Sequence, residues 1–375
     1  MNKKLRKIFS KIAYPLVVYS LISPGEAFGY YAYVANLTLG NVSVINTLTN
    51  TITTTVTVGA FPSSVAIAPN SYYAYVTDPS SDSISVINTI SNTVIATVTL
   101  SSGSNPSRIA ITPNSAYAYV TNEGLVNVVV IDTSTYNIVA TVDLDSSFNL
   151  PSSIAISPNS YYAYVTNTVG KVSVIDTSSY TIIMTVTVGN DPSAIAITPN
   201  SHYAYVTNQS SDSVSVIDTT SYTVISTVSL SSSSSPSSVA ITPNGFYAYV
   251  VNSGLDSVSV INTSTYQIIM TVSVGTLPNS IAITPNSIYA YVTNETDATV
   301  SMINTISNTS IEAVSLTSGT DPKAIAITPT SSWLPPPSPS PSPTSSLGGY
   351  DINQLETIYI ETNQQATSTL ENAGM

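Results

Sequence analysis

The chain has 375 residues, 7% of them charged, with eight Lys and Arg against 20 Asp and Glu. Soluble domains usually carry about 25% charged residues, so polarity here must come from Ser, Thr, Asn and the 25 Tyr. The absence of cysteine excludes a disulfide framework and thiolate chemistry, and the acidic balance excludes the basic surface that nucleic acids need.

At the N-terminus, Lys3, Lys4, Arg6, Lys7 and Lys11 precede the apolar run "IAYPLVVYSLI" (12–22), and the small-residue pattern "GEA" ends at Ala27. This reads as a secretory signal peptide over residues 1–27. The run is shorter than the roughly 20 residues a bilayer span requires, so no membrane span is expected after cleavage. Cleavage leaves Arg108, Lys171 and Lys323 against 19 acidic residues, a net charge of 3 − 19 = −16. With so few cations, carboxylates should seldom be salt-bridged; they should shift upward in the negative field, and stability should hold or rise in acid.

From Tyr30 onward one unit recurs. The prolines opening each "PSSVAIAP"-like segment are Pro62, Pro106, Pro151, Pro192, Pro236, Pro278 and Pro322, spaced 44, 45, 41, 44, 42 and 44. One period holds four short β-type runs, shown by "SAIAIT" (193–198), "YAYVTN" (203–208), "SVSVID" (213–218) and "TVISTVSL" (223–230). Four strands per such period predict a propeller blade. The first copy lacks its innermost strand, and "PKAIAITPT" (322–330) supplies that strand alone. The expectation is therefore an all-β, seven-bladed propeller over residues 28–330, closed by the C-terminal strand. In "YAYVTN" the pleat sends Tyr162, Tyr164 and Thr166 to one face and Ala163, Val165 and Asn167 to the other, so large residues should interlock with small ones between blades.

These residues resemble the YVTN-type β-propeller repeat of archaeal surface-layer proteins: "YVTN" begins at Tyr119, Tyr164, Tyr205 and Tyr291 and is followed by "VSVID"-like and "TVxVG"-like strands. The resemblance implies a secreted or cell-surface protein and brings no site residues with it. After the ring, a Pro/Ser-rich linker (331–349) is expected to be extended. The C-terminal tail (350–375) has both heptad-like and alternating apolar spacing, which leaves helix and strand open; it reads as disordered or as a docking segment for self-association.

Chemistry-bearing residues are few. His202 occupies the slot held by Tyr72, Ala116, Tyr161, Phe246 and Ile288 in other copies, so it reads as a substituted packing residue. One imidazole without cysteine makes no zinc site, no D-x-D-x-D loop is present, and no metal or cofactor is expected. Asp82, Asp212, Asp256 and the slightly offset Asp297 read as turn residues, with a weak calcium rim as the alternative.

The loops between the Pro of "TPN" and the following "YAY" have constant length, whereas those entering the innermost strand vary from 3 to 6 residues. The variable face, with Phe61, Arg108, Phe148, Leu150, Asp191, Leu277, Asp321 and Lys323, is the candidate recognition face. Sequons at Asn36, Asn41, Asn208, Asn262, Asn294 and Asn308 are candidate glycosylation sites. The functional expectation is a non-enzymatic secreted or surface module that binds other surface proteins or glycans. The alternative is a lactonase-like hydrolase at the channel mouth; only Arg108 and Lys323 are expected near enough, with no His or Glu joining them.

Overall fold

The computed structural model describes residues 29–144 and 150–329. The expected signal segment, linker and tail lie outside these residues, as does Phe148.

Among the described residues, twenty-eight strands, β1 to β28 in chain order, form seven four-stranded antiparallel sheets. Blade 1 combines β28 (Pro322–Ile327) with β1 (Tyr31–Asn36), β2 (Asn41–Asn46) and β3 (Thr51–Thr57). The other blades use consecutive strands and begin with innermost strands β4 (Ser64–Ile67), β8 (Pro106–Ile111), β12 (Pro151–Ile156), β16 (Pro192–Ile197), β20 (Pro236–Ile241) and β24 (Pro278–Ile283), giving blades 2 to 7. Each innermost strand neighbours the next, and β24 and β4 both neighbour β28, so the ring closes around an axis.

Closure has a specific seam. Ala32, Tyr33, Val34 and Ala35 pair with Ile327, Ala326, Ile325 and Ala324. The Tyr31 N–H donates to Thr328 Oγ1 at 3.0 Å, and the Thr328 N–H donates to the Tyr31 carbonyl at 2.9 Å. At the opposite end, Leu37 N–H donates to the Asp321 carbonyl at 2.9 Å and Thr38 Oγ1 donates to Asp321 Oδ2 at 2.6 Å. The seven-bladed expectation and its closing strand are thus both observed, and β28 abolishes the edge that β1 would otherwise expose.

Between blades the pleat works as the alternation requires. Tyr164 packs with Ile195, Ala204, Val206 and Ile217 of blade 5, whereas Ala163 and Val165 face Tyr119 and Val128 of blade 3. Every interblade layer therefore takes a tyrosine from one blade and a small residue from its neighbour. The seven tyrosines of this slot, Tyr33, Tyr75, Tyr119, Tyr164, Tyr205, Tyr249 and Tyr291, are fully buried. Each fully buried Val or Ile beside them contributes about 1.5–3 kcal/mol.

The polar letters of "YVTN" are bonded inside the blade. Thr166 and Thr207 share hydrogen bonds with Ser152 and Ser193 of the innermost strands at 2.8 and 2.9 Å. Asn208 Nδ2 donates to Ser213 and Ser215 at 3.1 and 3.0 Å. The repeated stretch is thus an assembly code, with aromatic bulk for the next blade and hydrogen bonds for its own.

Candidate functional site: the axial mouth

Every innermost strand begins on the face with variable loops, where one slot directly follows its proline. In blade order 1 to 7 this slot holds Lys323, Ser63, Ser107, Ser152, Ser193, Ser237 and Asn279. The serine hydroxyls are engaged. Ser193 Oγ donates to the Pro236 carbonyl at 2.6 Å, Ser237 Oγ to the Asn279 carbonyl at 3.0 Å, Ser63 Oγ to the Ser107 carbonyl at 3.2 Å, and Ser152 Oγ to the Pro192 carbonyl. These four stitch their strands to the next, whereas Ser107 Oγ shares a bond with Thr121 of its own blade at 3.0 Å, and no imidazole lies beside them to activate a nucleophile.

Where the slot departs from serine, charge enters. Lys323 Nζ pairs with Glu295 Oε2 at 2.6 Å, and the same oxygen accepts from Asn279 Nδ2 at 3.0 Å. Arg108, one residue further along its strand, lines a polar cavity of about 130 Å³ together with Lys323 and residues of all seven innermost strands. A wider cavity of about 220 Å³ is lined by Arg108, Gln209, Leu277, Asn279 and Glu295 among others. Arg108 Nη1 donates to the Ser107 carbonyl at 3.2 Å. Burial lowers its pKa, and Glu123 opposes that shift from longer range. Guanidinium basicity is high enough for the group to stay charged regardless, so an unneutralised cation faces the mouth.

Two of the three cations beyond residue 27 thus meet at the axis. Glu295, which the sequence reading excluded from this place, joins them. It stands directly after the "YVTN" motif, in a slot that holds Leu37, Pro79, Glu123, Thr168, Gln209 and Ser253 in the other blades. Aligning the copies at this slot would have shown acid in two of seven positions beside the variable loops.

The loop before β24 is fastened on several sides. Leu277 N–H donates to Asp256 Oδ1 at 2.8 Å, Thr276 N–H to Asp297 Oδ2 at 2.6 Å, and Glu295 N–H to the Leu277 carbonyl at 3.0 Å. Asp82 takes the N–H groups of Gly103 and Asn105, both at 2.7 Å, and Asp212 those of Ser233 and Ser235, both at 2.8 Å. The aspartates read as turn residues are carboxylate braces for the mouth loops.

The other candidate residues sit further out. Phe61 and Leu150 are about half exposed. Asp191 accepts Gln209 N–H on its carbonyl at 2.8 Å, so it and Asp321 tie loops within their own blades. Of the candidate face, the structure brings Arg108, Leu277 and Lys323 together. Among the sequons, Asn36, Asn208 and Asn294 are fully buried. Their Nδ2 atoms, where a glycan would attach, donate inward; those of Asn36 and Asn294 reach Ser43 and Ser301, both at 2.9 Å. Asn41, Asn262 and Asn308 are half-buried.

The expected upward carboxylate shifts are also corrected. Asp132 and Asp176 are held down at about 2, first by the hydroxyls of Ser134 and Ser178 and then by turn N–H groups. Asp218 is held at about 2, first by the Ser221 N–H and then by the Thr220 hydroxyl. Local donors outweigh the general negative field because they lie within hydrogen-bonding distance, whereas the field is screened.

The family model described as lactonase, 7-bladed β-propeller, matches residues 62–225 and 175–310. No curated protein matches the chain. Among solved structures, hydrazine synthase of Kuenenia stuttgartiensis shares 19% identity at a TM-score of 0.65, covering 72% of this chain and 90% of that one. A functionally unknown protein from Desulfotomaculum acetoxidans DSM 771 shares 18% identity at a TM-score of 0.69, covering 79% and 98%. At these identities the two structures speak for the fold alone. The family match overturns the expectation of a non-enzymatic module: the chain groups with hydrolase-like propellers.

Proposed function

We propose, from the premise that this chain belongs to the lactonase family of seven-bladed β-propellers, that it hydrolyses a small cyclic ester at the axial mouth. The observation that carries this reading is the meeting of Glu295, Lys323 and Arg108 at the end of a polar channel. Lys323 and Asn279 both hold Glu295 Oε2, which fixes the plane of the carboxylate. Oε1 is then free to take a proton from an attacking water.

In this mechanism the lactone carbonyl oxygen turns toward the Arg108 guanidinium, which stabilises the developing oxyanion. Water adds to the carbonyl carbon as Glu295 removes its proton. The tetrahedral intermediate collapses, the ring C–O bond breaks, and Glu295 returns the proton to the leaving alkoxide. Lactone and water become a hydroxy acid, whose carboxylate forms beside Arg108 and Lys323. The braced loop before β24 keeps Glu295 positioned, and cavities of about 220 and 130 Å³ suit a monocyclic ester better than a polymer. The test is acid release in a pH-stat from a panel of γ- and δ-lactones with the purified full chain. Turnover of at least one lactone is expected; rates equal to buffer for the whole panel would overturn the reading.

A further inference from the structure

A cavity wider than either of these lies elsewhere. About 430 Å³ opens at the seam of blades 5 and 6, on the face of constant loops, lined by Pro199, Asn200, Tyr203, Asn244, Phe246 and Tyr266 among others. The equivalent cavity at the next seam, where Ser287 holds the slot, is smaller at about 250 Å³; here the turn departs from the repeat, with "TPNG" at 242–245 where the other complete copies read "PNS".

At three other seams the serine of this turn ties neighbouring blades together. Asn70 N–H donates to Ser115 Oγ at 3.1 Å, Asn159 N–H to Ser201 Oγ at 3.1 Å, and Asn244 N–H to Ser287 Oγ at 3.3 Å. Gly245 offers no hydroxyl, so the Asn200 N–H has no such acceptor. Neither backbone nor space demands the glycine. Its φ is +77°, but Ser71, Ser115, Ser160, Ser201 and Ser287 hold φ of 59–65° at the same slot. A Cβ at Gly245 would meet Pro199 Cδ at an ordinary 3.7 Å.

We infer that this seam is a second binding site, for a neutral hexopyranose, free or as a unit of a glycan. Phe246 is 61% exposed, and Tyr203 and Tyr266 are half-buried beside it, which gives flat apolar surface for the C–H face of a sugar ring. Oδ1 of Asn200 accepts from Thr198 Oγ1 and His202 N–H, and Oδ1 of Asn244 from Thr242 Oγ1 and Phe246 N–H. Both amides are thereby oriented, which leaves their Nδ2 groups, with the Asn200 N–H, as donors to ring hydroxyls. No charged side chain lines the cavity, so a neutral ligand fits and an anionic one gains nothing. The site lies on the other face of the ring and does not depend on the hydrolytic reading.

The test is saturation-transfer NMR on the full chain with the methyl glycosides of glucose, galactose and mannose, and with maltotriose for the glycan arm. Transfer from at least one hexopyranoside is expected, reduced about fivefold or more in Gly245→Ser and in Phe246→Ala, and unchanged in Glu295→Gln. Gly245→Ser restores the repeat residue and therefore folds. Transfer from none of the probes, equal transfer in Gly245→Ser, or loss in Glu295→Gln would each overturn the second site, the last by moving the sugar to the axial mouth.

Discussion

A tyrosine hydroxyl inside an interblade layer needs a partner, and at three of the seven layers a turn asparagine supplies it, whereas the hydroxyls of Tyr75, Tyr119 and Tyr164 are buried without one. Tyr33, Tyr249 and Tyr291 donate to the Oδ1 atoms of Asn92, Asn308 and Asn50 at 2.7, 2.5 and 2.8 Å. These asparagines sit at φ of 52–53°, a left-handed conformation that Asn tolerates well. In blades 3 to 6 the same turn position is Tyr136, Tyr180, Tyr222 or Tyr266, whose rings pack against the outer tyrosine of the preceding blade; Tyr222 meets Tyr162 edge-on at 6.2 Å. Burial raises the pKa of all the inner tyrosines, as expected for a hydroxyl kept neutral. Asn92→Ala should therefore destabilise the ring by about 0.5–1.5 kcal/mol by removing the shorter bond of the Tyr33 hydroxyl and leaving it only the Thr89 carbonyl at 3.3 Å, and Tyr33→Phe made in the same chain should recover part of that loss. Additive losses in a denaturation double-mutant cycle would contradict the pairing.

At the scale of the element, the turn between the third and fourth strands explains how acid should act. Asp132, Asp176 and Asp218 are held at about 2 by donors within the turn, below an ordinary unfolded value of about 3.9. Between those values the folded state binds fewer protons than the unfolded one. The stabilisation is therefore fully present above about pH 4 and is lost as pH falls through 2. The opposite sign, expected from net charge, fails because the turn supplies its own donors. Asn46, Asn88, Asn262 and Asn304 accept the equivalent N–H bonds at 2.8–2.9 Å without titrating. The triple variant Asp132→Asn, Asp176→Asn, Asp218→Asn should fold, and its thermal midpoint should fall less between pH 4 and pH 2 than that of the parent. An identical fall in both would assign acid sensitivity to other groups. These turns were legible as turns in the sequence, because "VID" and "VIN" interchange freely, but their effect on proton affinity requires the geometry of Ser134 and Thr135 around Asp132.

For the molecule as a whole, the ring could be read from the sequence because repetition supplied what one sequence normally lacks: seven versions of each position. Strand bounds followed closely, with β17 and β18 at Tyr203–Asn208 and Ser213–Asp218 as expected. The pairing of β28 with β1 could be inferred from the two incomplete copies. A chain ending before Pro322 should accordingly leave blade 1 without its innermost strand and lose its cooperative melt, whereas one ending after Ser331 should keep it; equal melts would contradict closure. The site was less legible for the same reason that the fold was clear. Arg108 and Lys323 were placed near the channel because they interrupt an innermost strand, but Glu295 comes from another part of the repeat, and only closure of the ring brings it within 2.6 Å of Lys323 across the boundary of blades 7 and 1.

The measurement that bears most directly on the axial mouth as a hydrolytic centre is kcat/KM of Glu295→Gln on the best lactone substrate, beside its melting temperature. The amide keeps an oxygen for Asn279 but cannot take a proton from water, so kcat/KM should fall about 100-fold or more, with the change in kcat and little change in melting. A variant that hydrolyses the lactone within a factor of about two of wild type would contradict the account.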